Sequence, residues 1–254
     1  MELLAARNIS KSFDGRPILR NISLHLDEGE LVSLLGLSGS GKTTLLNILA
    51  GLALPDEGRV FLGGGDVTGT PGRVSYMLQK DLLLEHKKVV DNVALPLVIR
   101  GMKKEDARKR ADPYFAQFGL EGTQLLYPSQ LSGGMRQRAA LLRTYLGSSS
   151  GVVLLDEPFS ALDMITRGQM HVWYQQVMRQ FRLSTVLITH DVDEAILLSD
   201  RVCLLTGTPG EIRHEIRIET PREERTDFNL KPEFLAYKQR IMKILRDQPA
   251  SLPI

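Results

Sequence analysis

The segment Gly36-Leu37-Ser38-Gly39-Ser40-Gly41-Lys42-Thr43 follows a short apolar run at Glu30–Leu35 and precedes a helical pattern at Thr43–Leu52. A buried strand, a glycine-rich turn and a helix, in that order, are typical of a phosphate-binding loop. The glycines let successive backbone N–H groups point at phosphate oxygens, and the helix N-terminus adds positive potential. Lys42 is expected to neutralise charge on the β- and γ-phosphates, and the Thr43 hydroxyl to ligate Mg²⁺. The segment predicts a nucleotide site, but not what the nucleotide is used for.

The bulk composition is that of a globular protein without a membrane span of its own. The chain has 254 residues, of which 43% are hydrophobic and 24% charged, enough for one large domain or a domain with a subdomain. The net charge is +2 and the basic residues are spread along the chain, so a nucleic acid partner is not expected. No secretory signal and no run of roughly 18 apolar residues is seen. Any membrane role must therefore depend on a partner.

Apolar periodicity predicts an α/β protein. Leu4–Ile9 and Ile18–Leu26 carry apolar residues at every second position, with Asp14-Gly15 as the turn between them. Further strands are predicted at Val152–Leu155, Thr185–Thr189 and Arg201–Leu205, and helices at Lys103–Phe118, Ser132–Leu146, Arg167–Phe181 and Pro232–Arg246. We expect a core at 1–80 and 149–219, a mainly helical insertion at 81–148 and a C-terminal helical extension at 220–254. The single cysteine, Cys203, is expected to be buried.

Two acidic residues follow the apolar strand Val152–Leu155. Asp156 is held at the strand end, where a carboxylate can orient Mg²⁺ or its water shell. Glu157 comes next and is placed to polarise an attacking water as a general base. Taken alone, the pair is equally well explained as an ordinary acidic turn. The phosphate-binding loop in the same chain favours the catalytic interpretation.

The strand Thr185–Thr189 ends at His190, which precedes Asp191, Asp193 and Glu194. Parallel strands end at the sheet edge where ligands bind. A histidine there can hydrogen-bond a γ-phosphate or an attacking water, whereas an isolated histidine at a strand end is more often structural. The other two motifs favour the functional interpretation of His190.

The segment Leu131-Ser132-Gly133-Gly134-Met135-Arg136-Gln137-Arg138 begins a predicted helix. Ser132 and the N–H groups around the two glycines form a second anion-binding surface. An N-cap beside a flexible hinge would explain Ser132 but not the paired glycines. The segment resembles the signature of the ATP-binding cassette (ABC) proteins, and their other motifs follow in order over about residues 1–215. The fold implied is an α/β P-loop NTPase core, a mixed sheet flanked by helices, with an N-terminal antiparallel β part and a helical signature subdomain.

The resemblance assigns roles to further residues. Phe13 resembles the aromatic residue that stacks on adenine, and Gln79 the glutamine that contacts Mg²⁺. Ser160-Ala161-Leu162-Asp163 resembles the loop that crosses between two nucleotide sites, and His190 corresponds to the switch histidine. The motifs together imply ATP contacts from Phe13, Gly36, Leu37, Ser38, Gly39, Ser40, Gly41, Lys42, Thr43, Thr44, Ser132, Gly133, Gly134 and Asp163. They imply Mg²⁺ ligation by Thr43, Gln79 and Asp156, and catalytic roles for Lys42, Gln79, Glu157 and His190.

The resemblance also implies partners and a location. ABC ATPases form head-to-tail dimers in which ATP lies between the phosphate-binding loop of one copy and the signature of the other. ATP binding closes the dimer, and hydrolysis with phosphate release lets it reopen. Energy passes through the helical insertion to transmembrane permease subunits. An extracytoplasmic solute-binding protein is an indirect partner of the chain. The chain is thus expected to be a peripheral ATPase at the cytoplasmic face of the cell membrane.

Finer features resemble the ATPases of bacterial importers for nitrate, sulfonate, taurine or thiamine-precursor pyrimidines. These features are Asp156–Asp163, Thr189–Ala195 and Leu198–Val202. That group often has a Pro-Trp pair where Glu85-His86 stands here, so the surface facing the permease departs from the group. A soluble ABC ATPase of an assembly pathway, not coupled to transport, remains an alternative. A non-catalytic, ATP-gated module is disfavoured because Glu157 and His190 are present.

Overall fold

The apolar runs of the sequence form strands, and the computed structural model describes residues 2–225 and 227–247. Met1, Thr226 and residues 248–254, the end of the predicted C-terminal extension, lie outside the described residues. The strands are β1 (Glu2–Phe13), β2 (Arg16–Asp27), β3 (Leu31–Leu35), β4 (Glu57–Leu62), β5 (Gly65–Asp66), β6 (Ser75–Met77), β7 (Val152–Asp156), β8 (Ser184–Thr189), β9 (Arg201–Thr206) and β10 (Glu211–Arg217). The helices are α1 (Lys42–Leu49), α2 (Val89–Val93), α3 (Leu95–Ile99), α4 (Lys104–Gln117), α5 (Gly133–Gly147), α6 (Met164–Phe181), α7 (Val192–Leu198) and α8 (Pro232–Arg246). Single 3-10 turns lie at Pro128–Gln130, Arg222–Glu224 and Phe228–Leu230.

The first of two units comprises residues 1–73 and 182–254. Its N-terminal strands form an antiparallel sheet in the order β2-β1-β4-β5, which confirms the predicted N-terminal β part. Elsewhere in the unit β3 lies between β8 and β9 and is parallel to both, while β10 pairs antiparallel with β9. Every residue of β3, β8 and β9 is buried, as expected for parallel strands covered on both faces.

The turn predicted at Asp14-Gly15 closes the hairpin of β1 and β2. Phe13 pairs with Arg16, so the loop has only two residues. Their φ angles are 49° for Asp14 and 75° for Gly15, and a two-residue hairpin loop with φ > 0 at both positions follows the twist of its strands.

The second unit comprises residues 74–181 and contains the parallel pair β6 and β7 with helices α2 to α6. On α4 the buried residues Ala107, Ala111 and Phe115 recur every four positions, which gives this otherwise charged helix its apolar stripe. An aromatic cluster joins three of its helices and consists of Tyr114, Phe118, Tyr145, Trp173 and Phe181. The helices predicted in this part of the sequence are confirmed. Within the described residues, no helix combines the length and apolar character that a bilayer crossing requires.

Some predicted boundaries were wrong, and local hydrogen bonds explain why. The helix predicted to reach Leu52 ends at Leu49, because Gly51 adopts φ 73° and its N–H bonds to the Ile48 carbonyl at 3.0 Å. The helix predicted from Arg167 begins at Met164, because Asp163 Oδ1 accepts from the N–H groups of Ile165 and Thr166 at 3.1 and 3.0 Å. The short strands β4, β5, β6 and β10 were not predicted.

A buried ion-pair cluster joins β9 to the loop before β3. The Arg201 side chain is only 6% exposed, and its Nε lies 2.8 Å from Glu30 Oε1. Its Nη1 lies 2.9 Å from Glu215 Oε2, and its Nη2 donates to the His25 carbonyl at 2.7 Å. Cys203 is buried on the same strand, as predicted, and burial raises the pKa of its thiol to about 12.

Removing Arg201 is expected to destabilise the first unit. Arg201→Ala leaves the largely buried Glu30 carboxylate without its counter-ion, so the free energy of unfolding should fall by about 3 kcal/mol. Arg59→Ala, which breaks a pair of similar length (2.7 Å to Asp66) between exposed side chains, is the matched control and should cost far less. Urea denaturation measures both. Equal losses in the two variants would contradict the role given to the buried cluster.

Candidate functional site

The loop after β3 has the backbone that the glycine pattern predicts. Gly36 is buried, and a Cβ there would collide with the Leu205 carbonyl oxygen. Gly41 adopts φ 93°, and a Cβ there would lie 2.7 Å from Leu19 Cδ2. Both positions therefore exclude a side chain. Gly41 is the N-cap of α1, and its backbone is in the left-handed conformation that glycine adopts without strain.

Lys42 places its ammonium group inside this loop. The residue is 7% exposed, and its Nζ donates to the carbonyls of Gly36 at 2.8 Å and Leu37 at 2.9 Å. Ser40 Oγ is buried in the same loop, and among the described residues it has no hydrogen-bond partner. A buried cation beside an unsatisfied hydroxyl, at the N-terminus of a helix, suits a phosphate ligand. Thr43 is exposed at the start of α1.

His190 lies next to this loop because of strand register. In the parallel pair of β3 and β8, Leu35 stands opposite Thr189, so Gly36 and His190 are the next residues on neighbouring strands. His190 is exposed, and the following residue, Asp191, caps α7 by accepting from the N–H groups of Asp193 and Glu194. The expectation that this histidine ends a buried strand on the edge of the phosphate-binding loop is confirmed.

Phe13 stands exposed at the end of β1. Half of its surface is accessible, and Lys11 Nζ lies 5.3 Å from the ring centroid. An exposed aromatic ring with a cation over one face leaves the other face for stacking. This placement is compatible with the adenine contact, which stays a prediction.

In the second unit the acidic pair follows β7. Asp156 is 7% exposed and accepts a hydrogen bond from the Tyr76 hydroxyl at 3.4 Å. Burial, followed by the nearby Asp156 charge, raises the pKa of Tyr76, so this phenol stays protonated and can donate. Sequence analysis missed Tyr76. The pairing of β6 with β7 places it beside Asp156, and no short motif reveals that pairing.

Glu157 has an unusual backbone and a close polar neighbour. Its φ is 45°, in the left-handed region that non-glycine residues rarely adopt. Gln79 Nε2 lies 3.3 Å from Glu157 Oε2 and 3.4 Å from Ser160 Oγ. Met77 pairs with Leu155, so Gln79 and Glu157 each lie two residues beyond this paired position. Strained backbone of this kind clusters at functional sites. The structure thus brings Asp156, Glu157 and Gln79 together within one unit.

The signature segment forms the exposed N-terminus of α5. Ser132 is the N-cap, with its Oγ accepting from the Met135 N–H at 3.3 Å. Ser132 and Gly133 are exposed, and a Cβ at Gly134 would lie 3.2 Å from Thr166 Cγ2. The paired glycines therefore serve two different needs. One leaves the helix end open to a ligand, and the other allows the approach of α6.

Asp163 caps the neighbouring helix α6. Hydrogen bonds from the Thr166 side chain and backbone hold the pKa of Asp163 below its ordinary value, so it is a carboxylate at neutral pH. An ionised acid fixed at a helix start is a well-placed acceptor.

The Glu85 departure from the importer pattern is tied to the signature helix. Arg136 Nη2 lies 2.8 Å from Glu85 Oε1, and Arg136 Nε lies 2.9 Å from Asp81 Oδ2. Burial alone would raise the pKa of Asp81, but hydrogen bonds from Arg136 and the Leu83 N–H lower it below its usual value. Arg143 of the same helix donates to the carbonyls of Asp81 and Leu82. The segment after Gln79 is thereby fixed to α5, which sequence analysis did not foresee.

Comparison with known proteins agrees with this geometry. The profile of the ABC transporter family matches residues 19–160. The formylaminopyrimidine import ATP-binding protein ThiZ of Halalkalibacterium halodurans is 42% identical, over 82% of this chain and 81% of its own. The nitrate import ATP-binding protein NrtD of Synechocystis sp. is 38% identical, over 90% and 88%. The ATP-binding cassette MJ0796, solved as a dimer in a post-hydrolysis state bound to ADP and Pi, superimposes with a TM-score of 0.73 at 29% identity, over 86% of this chain and 100% of its own. The chain belongs to the ABC transporter family and is an ATP-binding, ATP-hydrolysing cassette of it.

Proposed function

We propose that this chain is the ATP-hydrolysing subunit of an importer for a small solute, acting as a head-to-tail pair of identical chains on transmembrane permease subunits. The arrangement of Asp156, Glu157 and Gln79 at the end of β7 is the observation that carries the hydrolytic role. The import role is supported by relatives, named as import ATP-binding proteins, that align with most of the chain. This favours import over an assembly pathway.

Nucleotide binding rests on the first unit. The N–H groups of Gly36 to Thr44 receive the phosphates, Lys42 neutralises their charge and Phe13 stacks on the base. Lys42 already lies inside the loop, so binding requires only that its Nζ exchange carbonyl oxygens for phosphate oxygens. Ser40 Oγ, unsatisfied in the described structure, would gain an acceptor at the same time.

Thr43, Gln79 and Asp156 would hold Mg²⁺. Among the described residues there is no group of three or more His, Cys, Asp or Glu side chains that could bind a metal by itself. A hydroxyl, an amide oxygen and one carboxylate fit Mg²⁺, which keeps water and phosphate oxygens as its remaining ligands. When bound, the ion would neutralise charge on the β- and γ-phosphates.

Hydrolysis is assigned to Glu157. Its carboxylate takes a proton from the attacking water while the water oxygen bonds to the γ-phosphorus. The bond from that phosphorus to the bridging oxygen breaks, and ADP leaves with the electron pair. Gln79 orients the carboxylate, whereas His190 and Lys42 stabilise negative charge on the γ-phosphate.

The second half of each site comes from the partner copy. Ser132, Gly133 and Gly134 present an exposed helix N-terminus, and Asp163 an ionised acceptor, to the nucleotide bound by the other chain. An isolated chain is accordingly expected to hydrolyse ATP slowly. In the assembled importer the dimer lies at the cytoplasmic face of the membrane. Each chain has a core at 1–80 and 149–219, a helical subdomain at 81–148 that contacts the permease, and a C-terminal extension at 220–254. An extracytoplasmic solute-binding protein delivers the cargo, and no nucleic acid takes part.

Lys42→Ala is expected to abolish tight nucleotide binding, because it removes the cation held inside the loop. Equilibrium titration with a fluorescent ATP analogue measures the affinity. Lys109→Ala, at an exposed lysine of α4, is the control and should bind like the parent. Normal ATP affinity in the Lys42 variant would contradict the phosphate-site assignment.

Glu157→Gln is expected to retain ATP binding but to lower turnover at least about a hundredfold, since the amide cannot accept the water proton. The variant should accumulate as an ATP-bound dimer, detected by size-exclusion chromatography with ATP. Glu121→Gln, at an exposed glutamate, should leave both properties unchanged. Unaltered turnover in the Glu157 variant would refute the general-base role.

The import assignment is open to a genomic test. Reading frames beside this gene are expected to encode a membrane permease and an extracytoplasmic solute-binding protein. Co-purification of the chain with that permease would then be expected. Neighbours that encode only soluble assembly proteins, with no permease, would count against import and leave the ATPase assignment intact.

A further inference from the structure

We infer that the described part of the C-terminal extension, residues 220–225 and 227–247, positions His190 through helix α7, and that Arg225 and Lys238 are its positioning residues. The inference rests on the proposed role of His190 at the γ-phosphate. It assigns a function to the extension, which contains none of the nucleotide-binding motifs.

Helix α7 is the element that carries His190. It spans only Val192–Leu198 and begins two residues after the histidine, with Asp191 as the cap between them. A helix of seven residues does not hold its own position in water, so tertiary contacts must fix it. Strand β8 fixes the residue before His190, and whatever holds α7 fixes the chain that follows it.

Arg225 holds the C-terminal end of α7. The residue is 5% exposed, and its Nη1 donates to the carbonyls of Ile196 at 3.0 Å, Leu197 at 3.2 Å and Ser199 at 2.7 Å. Its Nε donates to the Thr220 carbonyl at 2.8 Å. Burial lowers the pKa of Arg225 to about 10, so the side chain is still cationic at neutral pH. A cation that saturates the last carbonyls of a helix stabilises that end.

Helix α8 holds the opposite end and the buried face. Lys238 Nζ lies 2.7 Å from Asp193 Oδ1, in the first turn of α7. Ala195 and Ile196 of α7 belong to one buried apolar cluster. In this cluster the extension contributes Phe228, Phe234 and Ile241, and the end of β3 contributes Leu35. The extension thus contacts α7 at both ends and along its inner face.

Loosening the extension should therefore disturb His190 more than the loop. The loop is fixed by its own glycines and by Lys42, which do not depend on Arg225. Small displacements of a catalytic group cost large factors in rate. The expected result is a lower kcat with an unchanged KM for ATP.

The test compares steady-state ATP hydrolysis by full-length variants. Arg225→Ala is expected to lower kcat about tenfold or more while KM for ATP stays within about twofold. Lys238→Ala should lower kcat severalfold, and the charge-swapped pair Lys238→Asp with Asp193→Lys should recover most of the loss. Lys243→Ala, an exposed lysine of the same helix, is the control and should behave like the parent.

Two further measurements keep the inference open to refutation. If Arg225→Ala fails to fold, as thermal melting would show, the variants of the half-buried pair of Lys238 and Asp193 provide the test by themselves. Parent-like kcat in the Lys238 variant, or KM rising in parallel with the loss of kcat, would overturn the positioning role. His190→Ala distinguishes the proposed role of His190 from the positioning role of the extension. If it lowers turnover and the Lys238 variant does not, only the positioning role is refuted. If His190→Ala itself leaves turnover unchanged, the proposed role of His190 falls, and the inference with it.

Discussion

The parallel pairing of β3 with β8 is the constraint on which the nucleotide-binding half of the molecule depends. Because Leu35 stands opposite Thr189, the phosphate-binding loop and His190 leave the sheet at the same level. Shifting the register by one residue would send alternate side chains to the other face and separate these two features. The burial of every residue in both strands penalises such a shift, so the energetics of the core also secure the geometry of the site.

In the second unit, strand register again places the candidate site residues, here an amide beside a carboxylate. Register between β6 and β7 places Gln79 beside Glu157, and the turn after β7 forces Glu157 into a left-handed conformation. That conformation costs about 1–3 kcal/mol, which the rigid strand below it must offset. A glycine there would relieve the strain but remove the carboxylate proposed as the general base, so local stability and the proposed function conflict at this residue.

Sequence alone predicted most of the fold and named the candidate site residues, for identifiable reasons. Fully buried strands have continuous apolar runs, and the loop Gly36–Thr43 needs glycines at set positions, so both were predicted. Strand β10 was missed because its residues are mostly exposed, and the end of α1 was missed because Gly51 reverses the chain earlier than apolar periodicity indicates. The contacts of Arg225 join residues 26 to 29 positions apart in a polar segment, and no local pattern encodes them. Motifs reveal what binds a ligand, whereas register and packing decide what holds the binding residues.

Glu85-His86, which stands where the importer group often has a Pro-Trp pair, also shows the difference between what a motif reveals and what packing decides. From sequence it is only a difference at the surface expected to face the permease. In the structure Glu85 shares Arg136 with Asp81, so the substitution adds a second carboxylate to a guanidinium that belongs to the signature helix. A guanidinium between two carboxylates ties the segment after Gln79 to α5, because charge-assisted hydrogen bonds are directional. The residue that departs from the importer pattern is thus tied by an ion pair to α5, the helix that begins at the signature segment.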